Sequence, residues 1–409
     1  MVKADLRTMR DTQVAEPMPI DVNTALRGRD ILCFSHDWTG DPLSKTHLVR
    51  ILARDNRILW INAIANRMPT VSQKDLSRIF RKLNAFMEPI REVEPNIFVL
   101  NPLALPTYGS NGVRAFNRRF LKTQVMRAMR KIDFQRPVNI VFNPAAGLLA
   151  GKLDEDKLIY YCVDEYTAFT GASKGLKEIE EDLFRTADLV VVSAERLLES
   201  KKQFNENTFL IRHGTDWQHF RKALDDEIEI PDEIADLPRP IIGFHGLLAD
   251  WVDFDLMKKL AAHFRTGSVV LVGKISTDAE KKVKVLDGVT NVHFLGRKPY
   301  PQLPAFCKGF DVAINPFVIN DLTLAANPLK VREYIAAGLI TVSTDIPEVR
   351  VLENCLVGTD HADFISKVET ALQMKRPRRD ISDSVRHESW DAKVEELREL
   401  VANNGHEKS

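Results

Sequence analysis

Asn327-Pro328-Leu329-Lys330-Val331-Arg332-Glu333-Tyr334-Ile335-Ala336-Ala337-Gly338 reads as a short helix with a chemical purpose. Asn327 is expected to cap it, and Pro328 suits a first helical position because no partner is needed there for an N–H. The opening N–H groups of such a helix attract an anion, and Lys330 adds a full positive charge in the first turn. Glu333 falls three residues later on nearly the same face, where its carboxylate can accept hydrogen bonds from sugar hydroxyls. Ala336, Ala337 and Gly338 allow close packing on a sheet. One turn of helix thus offers a phosphate site beside a diol site, the pair of groups that a nucleotide-sugar presents. A bland alternative is a capped amphipathic helix with a surface Lys and Glu.

Working outward, short and nearly uniform apolar runs alternate with helix-like segments, as in parallel sheets buried on both faces. A first series is Ile31–Ser35, Ile58–Asn62, Ile97–Asn101, Val138–Asn143, Leu158–Val163, Leu189–Ser193 and Phe209–Arg212. A second is Ile241–His245, Val269–Gly273, Val292–Gly296, Val312–Pro316, Ile340–Thr344 and Cys355–Gly358. Between them, residues 221–240 are acidic and contain Pro231, Pro238 and Pro240, which reads as an interdomain linker. The expected layout is a flexible leader at 1–28 and an acceptor-binding Rossmann-like domain at 29–220. The linker at 221–240 leads to a nucleotide-sugar-binding Rossmann-like domain at 241–378, with a helix at 379–409 as a candidate to cross back to the first domain. The fold class is α/β, two doubly wound domains facing across a cleft.

The length of 409 residues favours two cores over one. Hydrophobic residues at 44% and charged residues at 28% describe an ordinary globular chain, and 57 basic against 57 acidic residues give no global attraction to nucleic acid. Cys33, Cys162, Cys307 and Cys355 are too scattered for a metal site and are expected buried and reduced, in a cytoplasmic setting. No run approaches the roughly 20 apolar residues of a spanning helix, and the N-terminal residues lack the apolar core of a signal peptide. There is no Walker loop, no strong GxGxxG, no Asp-x-Asp context and no metal-ligand cluster, so neither a cofactor nor a metal is expected.

Residues 66–131 hold thirteen Lys or Arg against four Asp or Glu, a balance of +9. Within 114–131 there is no acid, and Phe116, Phe120, Leu121, Val125, Met126 and Met129 are interleaved with the basic residues. That composition suits a helix at anionic lipid headgroups on the inner face of a membrane. It equally suits a solvated helix with an apolar core face.

Two further stretches carry chemistry. Asp164 ends the apolar run Leu158-Ile159-Tyr160-Tyr161-Cys162-Val163, where desolvation would raise a carboxyl toward the range of a useful base. It could instead cap a turn, and Glu165 is its rival. In Ser35-His36-Asp37-Trp38-Thr39-Gly40, the residues His36 and Asp37 either position an acceptor or fix their own loop. His213-Gly214 reads as a backbone feature at the cleft.

The 327–338 stretch, Asp188-Leu189-Val190-Val191-Val192-Ser193, Arg212-His213-Gly214-Thr215-Asp216 and Phe294-Leu295-Gly296-Arg297 together resemble GT-B glycosyltransferases, particularly family 4-like enzymes, over residues 30 to 400. Ser35-His36-Asp37, the Leu158–Asp164 run and Leu329-Lys330 with Glu333 more closely resemble the membrane-associated glucuronosyltransferases of xanthan assembly. The resemblance implies Asp164 as general base and His36 and Asp37 at the acceptor. It implies Gly246, Arg297, Phe317, Asn327, Lys330 and Glu333 at the donor, with Lys330 on the diphosphate. The partners implied are a nucleoside diphosphate sugar, a UDP-sugar first, and a lipid-linked or polysaccharide acceptor. The chain departs from the retaining pattern, which has two glutamates separated by seven residues: the first falls at Ala325. The Arg and Lys of that pattern after the first strand of the second domain are also missing, since Gly243–Asp250 offers only His245. An epimerase or a nucleotide-sugar-binding protein of degenerate chemistry is the alternative within the same fold.

Overall fold

Fourteen strands form two separate sheets in this computed structural model, which describes residues 25–64, 90–105, 108–168 and 175–404. The first sheet contains β1 (Asp30–Phe34), β2 (Arg57–Ile61), β3 (Arg91–Glu94), β4 (Ile97–Leu100), β5 (Val138–Val141), β6 (Lys157–Cys162), β7 (Leu189–Val192) and β8 (Thr208–Leu210). Its order is β3-β4-β2-β1-β5-β6-β7-β8, and only β3 runs antiparallel to its neighbour. The second sheet contains β9 (Ile241–His245), β10 (Ser268–Val272), β11 (Val292–Gly296), β12 (Val312–Asn315), β13 (Thr341–Thr344) and β14 (Cys355–Gly358). All its pairs are parallel, in the order β11-β10-β9-β12-β13-β14. The doubly wound α/β class expected from the alternating runs is the class observed.

In such sheets the connections leave in opposite directions from one pair of strands, opening a crevice at their carboxyl ends. Here those pairs are β1 with β5 and β9 with β12. Residues that follow β1, β9 and β12 therefore stand at the two crevices.

The first sheet is covered on one face by the helices Asn111–Lys131 and Leu176–Thr186, whose Leu121, Val125, Ile179 and Leu183 are buried. Its other face carries the helix Ser44–Leu52 and the C-terminal helix Trp390–Asn403, which returns from the second domain and buries Trp390, Val394, Leu397 and Val401. Ion pairs pin that return, with Arg398 on Asp55 at 2.6 Å and Arg27 bridging Asp55 and Glu395. All four cysteines are buried and free.

Residues 25–28, read with the flexible leader, are held: Leu26 is buried and the Gly28 N–H donates to the Asp55 carbonyl at 2.8 Å. Residues 1–24 lie outside the described residues, as do 65–89 and 106–107 of the basic region. The acidic 221–240 stretch, read as the linker, packs on the second domain: Ala223 and Ile234, with Phe220 just before it, are buried in its core. Strand β3, Arg-Glu-Val-Glu, carries no apolar signal in the sequence.

Candidate active site

Three elements of the second domain converge on Lys330. The helix Leu329–Ala336 supplies it from its first turn. Phe317 follows β12 and Phe244 lies in β9, with the ammonium 4.7 Å and 5.4 Å from their ring centroids. Gly246 follows β9 at φ +138°, and a Cβ there would stand 2.7 Å from Lys330 Cε. The glycine is required twice over, by its backbone angle and by the approach of the lysine.

Among the described residues Lys330 forms no ion pair. Burial pushes its ammonium down to about 8, against the attraction of Glu333. Burial pushes the Glu333 carboxyl up to about 7, with Lys330 opposing and Asp216 adding to the rise. A cation ringed by aromatic faces and short of counter-charge is a receptor for an anion. Glu333, one turn further along, is the acceptor group beside it.

His245 shares this corner. Its Nε2 stands 3.8 Å from Glu333 Oε2 and makes no hydrogen bond. Burial, with Lys330 nearby, lowers it to about 3, so the ring is neutral. Tyr334 fixes the end of β9 by accepting from the His245 N–H at 2.7 Å and donating to the His245 carbonyl at 3.1 Å.

Asn327 does something other than cap the helix. The cap position is Pro328, with no side-chain hydrogen bond, one residue later than the sequence suggested. Asn327 Nδ2 instead donates to the Ser193 carbonyl of the first domain at 2.8 Å, while Oδ1 accepts from buried Arg332 at 2.7 Å. The Asn327 carbonyl accepts from His213 Nδ1 at 2.9 Å. The residue therefore joins the domains instead of capping the helix. Glu348 forms a second joint, accepting from the Glu195 N–H at 2.7 Å and from Arg212 Nε at 2.8 Å.

Arg297 is also engaged across the cleft. Its guanidinium makes two 2.9 Å hydrogen bonds to the Asp41 carboxylate, so a donor contact requires it to leave Asp41. Both residues line a cavity of about 810 Å³ with His47, Arg50, Asp216, Trp217, Tyr300, Arg386 and Trp390. Neither Lys330, Glu333 nor Asp164 lines it. It adjoins the Lys330 corner through Tyr300, whose hydroxyl donates to Asp216 at 3.4 Å and whose charge environment includes Glu333.

Ala325 is 3% exposed and packs into the core of the first domain. The absent glutamate of the retaining pattern is thus explained physically, since a carboxylate at this position would be buried among apolar side chains.

In the first domain Asp164 follows β6 and is partly buried. Burial raises its carboxyl to about 6, against the pull of the Lys45 ammonium. Its rival Glu165 is held by Lys201 at 2.7 Å. Asp164 makes no side-chain hydrogen bond or ion pair among the described residues. His36 is held between Ser35 Oγ at 3.1 Å and Thr46 Oγ1 at 3.3 Å, and burial lowers it to about 4. Asp37 is exposed and accepts from the Ala63 N–H at 3.2 Å. The loop of His36 and Asp37 is therefore fixed by its own contacts, while both residues remain at the end of β1. Sequence reasoning missed Lys45 and Tyr166, because only the topology brings the helix after β1 to the residues after β6, where Lys45 Nζ donates to Tyr166 Oη at 3.1 Å.

Comparison with known proteins agrees with this architecture. The class is the GT-B fold, two Rossmann-like domains. A sucrose-phosphate synthase from Thermosynechococcus elongatus superposes with a TM-score of 0.65 at 14% identity, covering 90% of this chain and 97% of that one. A UDP-forming trehalose-phosphate synthase from Burkholderia xenovorans does so with 0.65 at 14% identity, covering 93% and 100%. Anabaena HepE, solved with UDP and glucose, gives 0.57 at 14% identity, covering 92% and 97%. More particularly, residues 239–374 match the family described as glycosyl transferases group 1. The chain is also 23% identical over 249 residues to TuaH of Bacillus subtilis (strain 168), named for glycosyltransfer in teichuronic acid biosynthesis. That match covers 56% of this chain and 62% of TuaH. These findings show the fold of the whole chain and a glycosyl transferases group 1 match in its second domain.

Proposed function

We propose that the chain transfers a sugar from a UDP-sugar to a hydroxyl of a lipid-linked or polysaccharide acceptor, in exopolysaccharide or cell-envelope glycan synthesis. The observation that carries this reading is Lys330, an aromatic-ringed cation that forms no ion pair among the described residues, one helical turn from Glu333. The diphosphate fits Lys330 and the helix N–H groups, and the ribose diol fits Glu333. The cavity beyond Tyr300 and Asp216 suits the outer part of the nucleotide. The family match in the second domain and a HepE structure holding UDP support the donor class.

In this reading Asp164 takes the proton of the acceptor hydroxyl as its oxygen attacks the anomeric carbon. The bond from that carbon to the diphosphate oxygen breaks, and the charge leaving on UDP is met by Lys330. A base opposite the leaving group gives inversion, in keeping with buried Ala325 and with the resemblance to xanthan glucuronosyltransferases. The test is Asp164→Asn, assayed with UDP-sugars and a lipid extract: transfer should be lost while UDP still binds. Unchanged turnover would overturn the assignment. A changed sugar with no UDP released from the unmodified protein would mark an epimerase.

The acceptor reading is supported by the helix Asn111–Lys131. Its inner stripe is core, while Phe116 and Phe120, 51% and 36% exposed, stack outward at 5.6 Å. Arg119 and Arg127 lie on the same outer face, and among the described residues neither pairs with an acid. The helix runs down toward the start of β5, so its phenylalanines stand at the cleft end. Among the described residues no helix is long and apolar enough to cross a membrane. Peripheral docking on an anionic inner leaflet fits this face. Flotation with anionic liposomes should be lost in Phe116→Ser/Phe120→Ser and at high salt.

A further inference from the structure

We propose that His245 is the positioning residue of Glu333. Its Nε2–H closes on one carboxylate oxygen and turns the other toward the ribose hydroxyls of the donor. The proposal rests on Glu333 receiving the ribose, as described above. The two side chains already face each other, with His245 Nε2 3.8 Å from Glu333 Oε2. That is about 0.9 Å beyond a hydrogen bond, a gap that a small turn of the glutamate closes.

The histidine is the fixed member of the pair. Its main chain is clamped by Tyr334, the residue after Glu333, which accepts from the His245 N–H at 2.7 Å and donates to its carbonyl at 3.1 Å. Its ring lies flat on Phe220, with centroids 5.7 Å apart and planes 7° from parallel, and meets Tyr334 edge-on at 4.6 Å. Packing thus aims the ring, and the clamp fixes the end of β9 against the helix that carries Glu333. Nε2 is nonetheless buried without a hydrogen-bond partner. A buried N–H is costly to leave unpaired, and the carboxylate in front of this one is its natural acceptor.

Glu333 is the movable member. Its side chain is 16% exposed. Among the described residues its carboxylate makes no hydrogen bond and no ion pair with Lys or Arg. Lys330, one turn back, holds its ammonium against the Phe244 and Phe317 rings instead. Burial, with Lys330 nearby, keeps the His245 ring neutral. The contact is therefore a neutral N–H on a carboxylate, which orients Glu333 without cancelling the charge that accepts the hydroxyls. A carboxylate held through one oxygen presents the other at a set angle, and a sugar without the diol gains nothing from it. His245 thus favours ribose-bearing donors over deoxy ones and touches no reacting atom.

The experiment measures calorimetric affinities for UDP and for 2′,3′-dideoxy-UDP, which lacks both ribose hydroxyls. It compares the unmodified protein with His245→Phe, His245→Gln and Glu333→Gln, after thermal unfolding shows each variant folded. Phe keeps the ring packing without the donor, and Gln places an amide N–H near the position of Nε2. His245→Phe should weaken UDP about tenfold, the worth of a hydrogen bond to a charged group, and dideoxy-UDP little. His245→Gln should recover most of the difference. In the unmodified protein the Nε2 proton, followed by ¹H–¹⁵N NMR, should move downfield on adding UDP, and in Glu333→Gln it should not. Equal weakening of both ligands in His245→Phe, or an Nε2 proton that UDP leaves unmoved, overturns the role of His245. A preference for UDP that survives in Glu333→Gln overturns the ribose assignment of Glu333 instead.

Discussion

Asn327 of the second domain donates to the main-chain carbonyl of Ser193 in the first, 2.8 Å away, while the same side chain accepts from Arg332. One amide therefore ties the donor-side helix to the end of β7. Arg332, 0% exposed, also pairs with Glu388 beside the returning C-terminal segment. Asn327→Ala should cost about 1–3 kcal/mol, because it leaves a buried guanidinium N–H unpaired. Urea unfolding should show a lower midpoint, and KM for the donor should rise more than kcat falls.

Lys330→Met keeps the bulk and removes the charge. UDP affinity should fall by about tenfold to a hundredfold, the worth of a charge-assisted hydrogen bond. Gly246→Ala should give a comparable loss by displacing the lysine, since the added carbon meets Lys330 Cε at 2.7 Å. Calorimetric titration with UDP checks both.

Burial sets the pH window. Asp164 is raised to about 6 and works only when ionised, so kcat/KM should fall about tenfold per unit as pH drops below that value. Lys330 is lowered to about 8 and holds the diphosphate only when protonated. UDP affinity of the free protein should therefore weaken as pH rises through about 8. A bell with these two limbs is the predicted profile of kcat/KM.

Ala325→Glu restores the glutamate pair of retaining enzymes in sequence alone. The new carboxylate enters the core of the first domain, so stability should drop by about 3 kcal/mol or more. The anomeric configuration of the product, read by NMR, should not change.

The parallel sheets were legible because their strands are buried on both faces and read as unbroken apolar runs. Strand β3 escaped because Arg91, Glu92 and Glu94 leave a charged edge without that pattern. That Lys330 and Glu333 share a turn of helix, and that Asp164 follows an apolar strand, was legible from the pattern of apolar residues. Asn327 was misjudged because the same Asn-Pro spelling serves a helix cap and a joint between domains, and only the position of Ser193 decides which. The acidic 221–240 stretch hid Ala223 and Ile234, apolar residues that anchor it to the second core. Lys45 had no local signature at all.

The helix Trp390–Asn403 seals the first domain, yet it is made after every residue of the second. During synthesis the face of the first sheet that receives Val394, Leu397 and Val401 emerges uncovered, and it remains so while the second domain folds. Completion of the first domain is thus timed by the arrival of the second. A nascent chain stopped before Trp390 should carry an apolar groove that recruits chaperones.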